Sequence, residues 1–142
     1  MPLHLEIVTP ERLAYSDDVD GVQLPGSEGE LGVLPHHAPL VSTLGFGELR
    51  IRKGGAEESF AIAGGFLQVL PTKVVVLAET ADMASEIDLE KAQEARRQAE
   101  AALESGYHEG ADLATARAAL QQALIRIRVA ERRHREGPRR RS

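Results

Sequence analysis

Cysteine and tryptophan are absent from this 142-residue chain, and aromatic residues make up only 4% of it. Without cysteine there can be no disulfide, no thiolate metal site and no cysteine nucleophile, and the composition fits a reducing compartment. With so few aromatics, the core must be built from Val, Leu, Ile and Ala. No apolar run approaches the roughly 18–20 residues that span a bilayer. The opening MPLHLEIVTPE has neither the basic start nor the apolar stretch of a signal peptide. A soluble chain is expected, with any membrane association made through a partner. Gly45-Phe46-Gly47 is not a phosphate loop, because GxxxxGK[ST] is absent and no helix pattern follows. No nucleophile elbow, acid–base pair or metal cluster stands at useful spacing, so a non-catalytic protein is expected.

Hydrophobic residues are 42% and charged residues 27% of the chain, the balance of a globular protein. Charge is divided unevenly. Residues 1–86 hold 5 Lys/Arg against 13 Asp/Glu, whereas residues 87–142 hold 12 against 9. From Arg126 onward there are eight arginines and two acids. Opposite charge in two segments suggests two modules with different surroundings.

In the first segment, short apolar runs keep the two-residue period of half-buried strands: Leu3, Leu5 and Ile7; Val22 and Leu24; Leu49 and Ile51; Phe60 and Ile62. Phe66 to Leu70 and Val74 to Leu77 follow. Pro25-Gly26, Gly45, Gly47, Gly54-Gly55, Gly64-Gly65 and Pro71 read as turns between them. Many short strands with no helix pattern between them predict an antiparallel sandwich or barrel. From Glu86 to Glu136 there is no proline and alanine is abundant. Leu89, Ala92, Ala95, Ala99 and Leu103 form one helical stripe, and Leu113, Ala116, Leu120, Ala123, Leu124 and Ile127 form another. Asp88 suits a helix start, and Asp112 suits the N-cap of the second helix after a break at Ser105–Gly110. The expected architecture is a β-sandwich over 1–86, an antiparallel helical hairpin over 87–136 and a disordered basic tail over 137–142. Alanine seams bury little area, so the hairpin is expected to open at low cost.

GSEGELGVLPHHAPLVSTLGFGELRI (Gly26 to Ile51) and GGFLQVLPTKVVVLAETADMASEID (Gly64 to Asp88) resemble the epsilon-subunit family of the bacterial F-type ATP synthase. LHLEIVTPERLAYS at the start resembles that family too, so the resemblance covers nearly the whole chain. It implies a flattened sandwich of about ten strands followed by two helices. It also implies a place in the rotor's central stalk, at the cytoplasmic face of the plasma membrane. The implied partners are the gamma subunit and the c-ring of the membrane sector, with alpha and beta met when the helices extend and restrain ATP hydrolysis. No cofactor is required on this reading.

By the same resemblance, Glu30 and His37 fall at the c-ring contact. For Glu30 the plainer reading is a solvated turn residue. A metal reading of His36-His37 fails because strand neighbours point to opposite faces and no third ligand is near. Ile87-Asp88-Leu89-Glu90-Lys91-Ala92 resembles the family's nucleotide motif, which implies a possible weak regulatory ATP site at Asp82, Ile87, Asp88, Lys91, Ala92 and Arg126. Lys91 stands where the motif has arginine, and so loses the forked hydrogen bonds to phosphate. Gln122 stands where a second arginine is expected. Arg126, Arg128, Arg132, Arg133 and Arg135 make the second helix cationic, which suits contact with an acidic subunit surface, or plain solvation near a helix C-terminus. A nucleic-acid module using this end is the alternative function, but stacking aromatics are missing there and the chain is acidic overall.

Overall fold

The computed structural model describes residues 3–36, 38–105 and 110–136. Seven strands come first: β1 (Leu3–Val8), β2 (Leu13–Val19), β3 (Gly21–Gly26), β4 (Gly29–Val33), β5 (Leu40–Lys53), β6 (Ala56–Leu70) and β7 (Lys73–Met83). A single 3-10 turn, Ala84–Glu86, leads into helices α1 (Leu89–Glu104) and α2 (Gly110–Glu136). The strands form one sheet in the order β2-β1-β7-β6-β5-β3-β4, antiparallel except for the β1–β7 pair.

This sheet folds over on itself along one line. β5, β6 and β7 pair continuously, yet the pairing skips Gly45 opposite Gly64 and Gly64 opposite Glu79. Gly64 and Gly65 have φ of +69° and +124°, which only glycine adopts cheaply. At that line the core-facing parity of all three strands changes. Phe60 and Ile62 point inward before it on β6, and Leu67 and Val69 after it. Val74, Val76 and Ala78 give way to Ala81 on β7, and Leu44 to Leu49 and Ile51 on β5. An unbroken strand keeps one parity per face. The glycines therefore act as kinks inside strands, and the expectation that Gly45, Gly47 and Gly64-Gly65 are turns between strands is corrected.

Two layers result. In the first, β2-β1 pair with the 73–77 half of β7, followed by the far half of β6 and the near half of β5. In the second, the remaining halves of β7, β6 and β5 continue into β3-β4. A single core lies between them, with Leu3, Leu5, Ile7, Leu24, Leu49, Phe60 and Ile62 essentially inaccessible. Tyr15 of the first layer meets Phe60 of the second edge-on at 5.8 Å, and Lys53 pairs with Asp17 across the same edge. The strand count is seven rather than about ten, because three long strands each serve both layers.

Asp88 is the N-cap of α1, its Oδ1 accepting from the Lys91 backbone N–H at 3.1 Å. α2 already begins at Gly110, so Asp112 lies in its first turn rather than at its cap. α1 packs on α2, and Ala92 and Ala99 of the first and Ala123 and Ile127 of the second are buried, mostly small side chains. Leu124, expected in the hairpin seam, is 45% exposed.

Candidate functional site

The second layer has an unusual strand segment. Ser59, Phe60, Ala61, Ile62 and Ala63 of β6 are buried in succession. Phe60 and Ile62 fill the core. Ser59, Ala61 and Ala63 point outward, and they are buried because α2 lies across them. Small side chains on that outer face let the helix approach the sheet closely. Ile125 and Val129 of α2 close over Ala61, Ala84 and Ile87, with Val129 only 1% exposed.

Around this small apolar patch, Gln122, Arg126 and Arg132 are among the described residues of α2 that hold the helix through polar contacts. Gln122 Nε2 donates to Thr80 Oγ1 at 2.9 Å. Arg126 Nε donates to Asp82 Oδ2 at 2.8 Å, with both side chains about 30% exposed. Arg132 makes the deepest contact. Its Nε and Nη2 donate to Glu48 Oε2 at 3.0 and 2.5 Å, and Nη2 also reaches Ser59 Oγ at 3.0 Å. Glu57 lies 3.6 Å from the same guanidinium. Glu48 and Arg132 are 10% and 18% exposed. Burial pushes the Glu48 carboxyl upward. Hydrogen bonds from Arg132 and Ser59, with the charges of Arg132 and Arg50, outweigh it and hold the carboxyl below the usual glutamate range.

Gln122, Ile125, Arg126, Val129 and Arg132 recur at three- and four-residue steps and define a second face of α2. The sequence reading took one apolar stripe for the whole helix and missed this face. Its partners Glu48, Ser59 and Thr80 were missed as well. The available signal was a charged or hydroxyl residue on the outer side of strands whose other side is fully apolar.

The nucleotide-site residues do converge. Asp82, Ile87, Asp88, Lys91, Ala92 and Arg126 line one cleft of about 190 Å³ where the sheet, α1 and α2 meet, and Glu86 joins them. Its chemistry is poorly arranged for a polyphosphate. Arg126 is engaged by Asp82, Gln122 by Thr80, and Asp88 caps α1. Among the described residues of the cleft, three carboxylates face one free cation, Lys91. The cleft is also smaller than the roughly 300 Å³ at which drug-sized ligand pockets begin.

The other expected sites are dispersed. Glu30 is exposed beside the β3–β4 turn, which Ser27 anchors to Thr43 through N–H···O=C and hydroxyl contacts of 3.2 and 2.6 Å. His36 has φ of +67°, and its N–H bonds to the Pro71 carbonyl at 2.6 Å, which ties this loop to the β6–β7 turn. His37 lies outside the described residues. Of the α2 arginines, Arg126 and Arg132 are engaged on the chain's own sandwich. Arg128 is exposed and Arg133 half-buried, while the side chain of Arg135 lies outside the described residues. Among the described residues, no helix is long and apolar enough to cross a membrane.

On the opposite side of the sandwich, the first layer's outer face is bare and apolar. Phe66, Leu77 and Val8 stand side by side on β6, β7 and β1, with Phe66 58% and Leu77 52% exposed. Together with Pro10 they line a shallow hollow of about 350 Å³. Val41, 71% exposed, stands on β5 of the same layer.

Comparison with known proteins agrees with this two-part build. Residues 2–84 match the ATP synthase delta/epsilon chain beta-sandwich domain, and residues 85–131 match its long alpha-helix domain. The ATP synthase epsilon chain of Dehalococcoides mccartyi is 48% identical over 131 residues, covering 92% of this chain and 94% of that one. That of Desulforamulus reducens is 46% identical over 127 residues, covering 89% and 96%. A chain of the Euglena gracilis mitochondrial ATP synthase, solved with OSCP, F1 and the c-ring, superposes with a TM-score of 0.75 at 27% identity, over 87% of this chain and 78% of that one. One from the Tetrahymena thermophila central stalk and c-ring shares the fold at a TM-score of 0.61 and 15% identity, covering 92% and 97%. A sandwich matched in full, a helical domain matched behind it and near-half identity to epsilon chains over nine-tenths of the length lead to one conclusion: the chain belongs to the epsilon-chain family of ATP synthases.

Proposed function

We propose that this chain is a non-catalytic central-stalk subunit of the proton-translocating synthase, joining gamma to the c-ring and restraining ATP hydrolysis through its C-terminal helices. The supporting observation is the contrast between the two outer faces of the sandwich. One is bare and apolar around Phe66 and Leu77, as a permanent docking face must be before its partner arrives. The other is covered by a helix held mainly through polar contacts, as a reversible one must be. On this reading gamma takes the apolar face. The turn bearing Glu30, together with His37, meets the c-ring. The undocked hairpin presents Arg126, Arg128, Arg132, Arg133 and Arg135 to alpha and beta. The complex holds the chain peripherally at the cytoplasmic face of the plasma membrane. The cleft at Asp88 and Lys91 takes MgATP weakly, in a regulatory role.

One reconstitution tests both halves. The full chain, a Phe66→Glu variant and a chain ending at Glu86 are each combined with gamma and the catalytic subunits. The truncated chain should bind gamma as the full chain does and raise ATP hydrolysis, and Phe66→Glu should lose gamma. Gamma binding that survives a charge at Phe66 removes the docking assignment. Hydrolysis unchanged by truncation removes the regulatory one.

A further inference from the structure

The second layer's outer face is only partly covered by α2. Among the described residues, the face of β5, β3 and β4 beyond Arg132 is open and forms a groove of about 370 Å³. Residues 1–86 contain only five cationic side chains. Four are engaged: Arg12 with the Ala81 carbonyl, Arg50 with Glu48, Lys53 with Asp17 and Lys73 with Glu6. The fifth, Arg52, makes no hydrogen bond or ion pair through its guanidinium to any described residue, although 13 carboxylates share its domain. It lies in this groove with Arg50, two residues away on the same face of β5.

The groove is shaped around that guanidinium. Gly21 and Gly32 lie on its floor, on adjacent strands. A Cβ at Gly21 would come within 3.3 Å of Arg52 Nη2 and 3.1 Å of Leu34 Cδ2, so the arginine occupies space that a side chain would otherwise fill. Around Gly32 nothing lies within 4 Å of where a Cβ would be, which leaves room for another backbone. Gln23 adds an amide that can both donate and accept.

We propose that this groove is a docking site for an acidic segment of another protein chain. Same-face neighbours on a strand stand about 7 Å apart. That spacing matches two carboxylates on alternate residues of an extended segment, or roughly one turn apart on a helix. Arg52 takes one of them in a forked pair. Arg50, 41% exposed and bonded to Glu48 through Nε, offers its outer edge to the second. Charge selects the occupant. Glu57 lines the groove opposite Arg52 across the β5–β6 pair and Glu48 holds Arg50, so the groove carries little surplus charge and suits one or two carboxylates better than a polyphosphate. It lies on the opposite face from Phe66, so its failure would leave the gamma assignment untouched.

The test is chemical-shift mapping on the full-length, 15N-labelled chain. The probes are a capped Glu-Ala-Glu-Ala-Glu peptide, its Ala-only counterpart, inorganic phosphate and MgATP. The acidic peptide should shift Gly21, Gln23, Gly32 and Arg52 at millimolar concentration, and the Ala peptide should not. Arg52→Gln should weaken binding at least tenfold without changing the thermal midpoint, and Gly21→Ala, which displaces the guanidinium, should weaken it while keeping the charge. Two results overturn the proposal: shifts of equal size in Arg52→Gln, or phosphate or MgATP shifting these residues as strongly as the peptide.

Discussion

Replacing Arg132 with methionine removes the deepest polar contact under α2 while keeping a stem of similar length. Breaking a buried ion pair by removing one partner costs about 3–5 kcal/mol when the other charge is stranded. Glu48 is not stranded, because Arg50 Nε remains at 3.2 Å. The charge-assisted bonds to Glu48 and the bond to Ser59 are still lost, so docking should weaken by about 2 kcal/mol. That is about a 30-fold change in the docked-to-undocked ratio. Arg126 and Asp82 are three times more exposed than Glu48, and Arg126→Met should cost only about 0.5–1 kcal/mol, as surface pairs do. Native-state amide hydrogen exchange separates the two. In Arg132→Met the amides of residues 120–133 should exchange about 30-fold faster, while those of β1 and β7 keep their protection. In Arg126→Met the acceleration should stay under about fivefold. Equal, small effects from both substitutions would refute a graded latch with Arg132 at its head. Acceleration throughout the sandwich would show that Arg132 stabilises the whole fold rather than the docking.

The same carboxylate gives docking a pH dependence. Glu48 sits below its ordinary value of 4.5 when α2 is docked, so its contribution is complete above that value and is lost as pH falls through the depressed one. α2 exchange in the wild type should therefore accelerate as pH falls below 4.5, relative to Glu48→Gln, whose profile should be flatter; identical profiles would assign the acid sensitivity elsewhere. At the fold line, a Cβ on Gly65 would lie 2.0 Å from the Leu77 carbonyl oxygen at a φ of +124°. Gly65→Ala should cost more than about 3 kcal/mol in urea unfolding. Gly64→Ala, at φ +69° with a Cβ that would meet the Glu79 carboxylate at an ordinary 3.6–3.8 Å, should cost about 1–2 kcal/mol. Similar losses at the two sites would mean that the kink is not localised at Gly65. Titrating the isolated chain with MgATP by calorimetry should give at most weak heats, and Lys91→Arg should strengthen them by restoring the fork. Absence of heat from both chains at millimolar ligand would remove the nucleotide role of the cleft.

Both modules were readable because each keeps a simple period. Alternation at Leu3, Leu5 and Ile7 marks a half-buried strand, and alanines three and four apart mark a helix seam. The fold line was not readable in the same way. Gly64-Gly65 looks identical in sequence to Gly54-Gly55, yet one pair kinks a continuous strand and the other makes the turn of the β5–β6 hairpin. What distinguishes them is pairing on both sides by strands far away in sequence. The latch was hidden for the same reason. Arg132 and Glu48 are 84 residues apart, and nothing local to either reveals the other. The motif residues line one cleft with Asp82 and Arg126, but the motif could not show that Asp82 already holds Arg126.

The balance between latch and seam decides which way the hairpin responds. The contacts of α2 to the sandwich bury only Val129 fully among its large apolar side chains, with Ile125 half-buried beside it. Burying such a side chain is worth about 1.5–3 kcal/mol, and the side-chain and loop ordering needed to hold the helix offsets much of that. The apolar patch alone therefore leaves docking near balance, and the Arg132 contact tips it. Ions screen exposed pairs within about 8–10 Å but reach a half-buried one poorly. Salt should then loosen the Arg126 end first while the Arg132 end holds. A partner that competes for Glu48 acts on the contact that matters, whereas one that competes for Asp82 only frays the helix toward its hairpin loop.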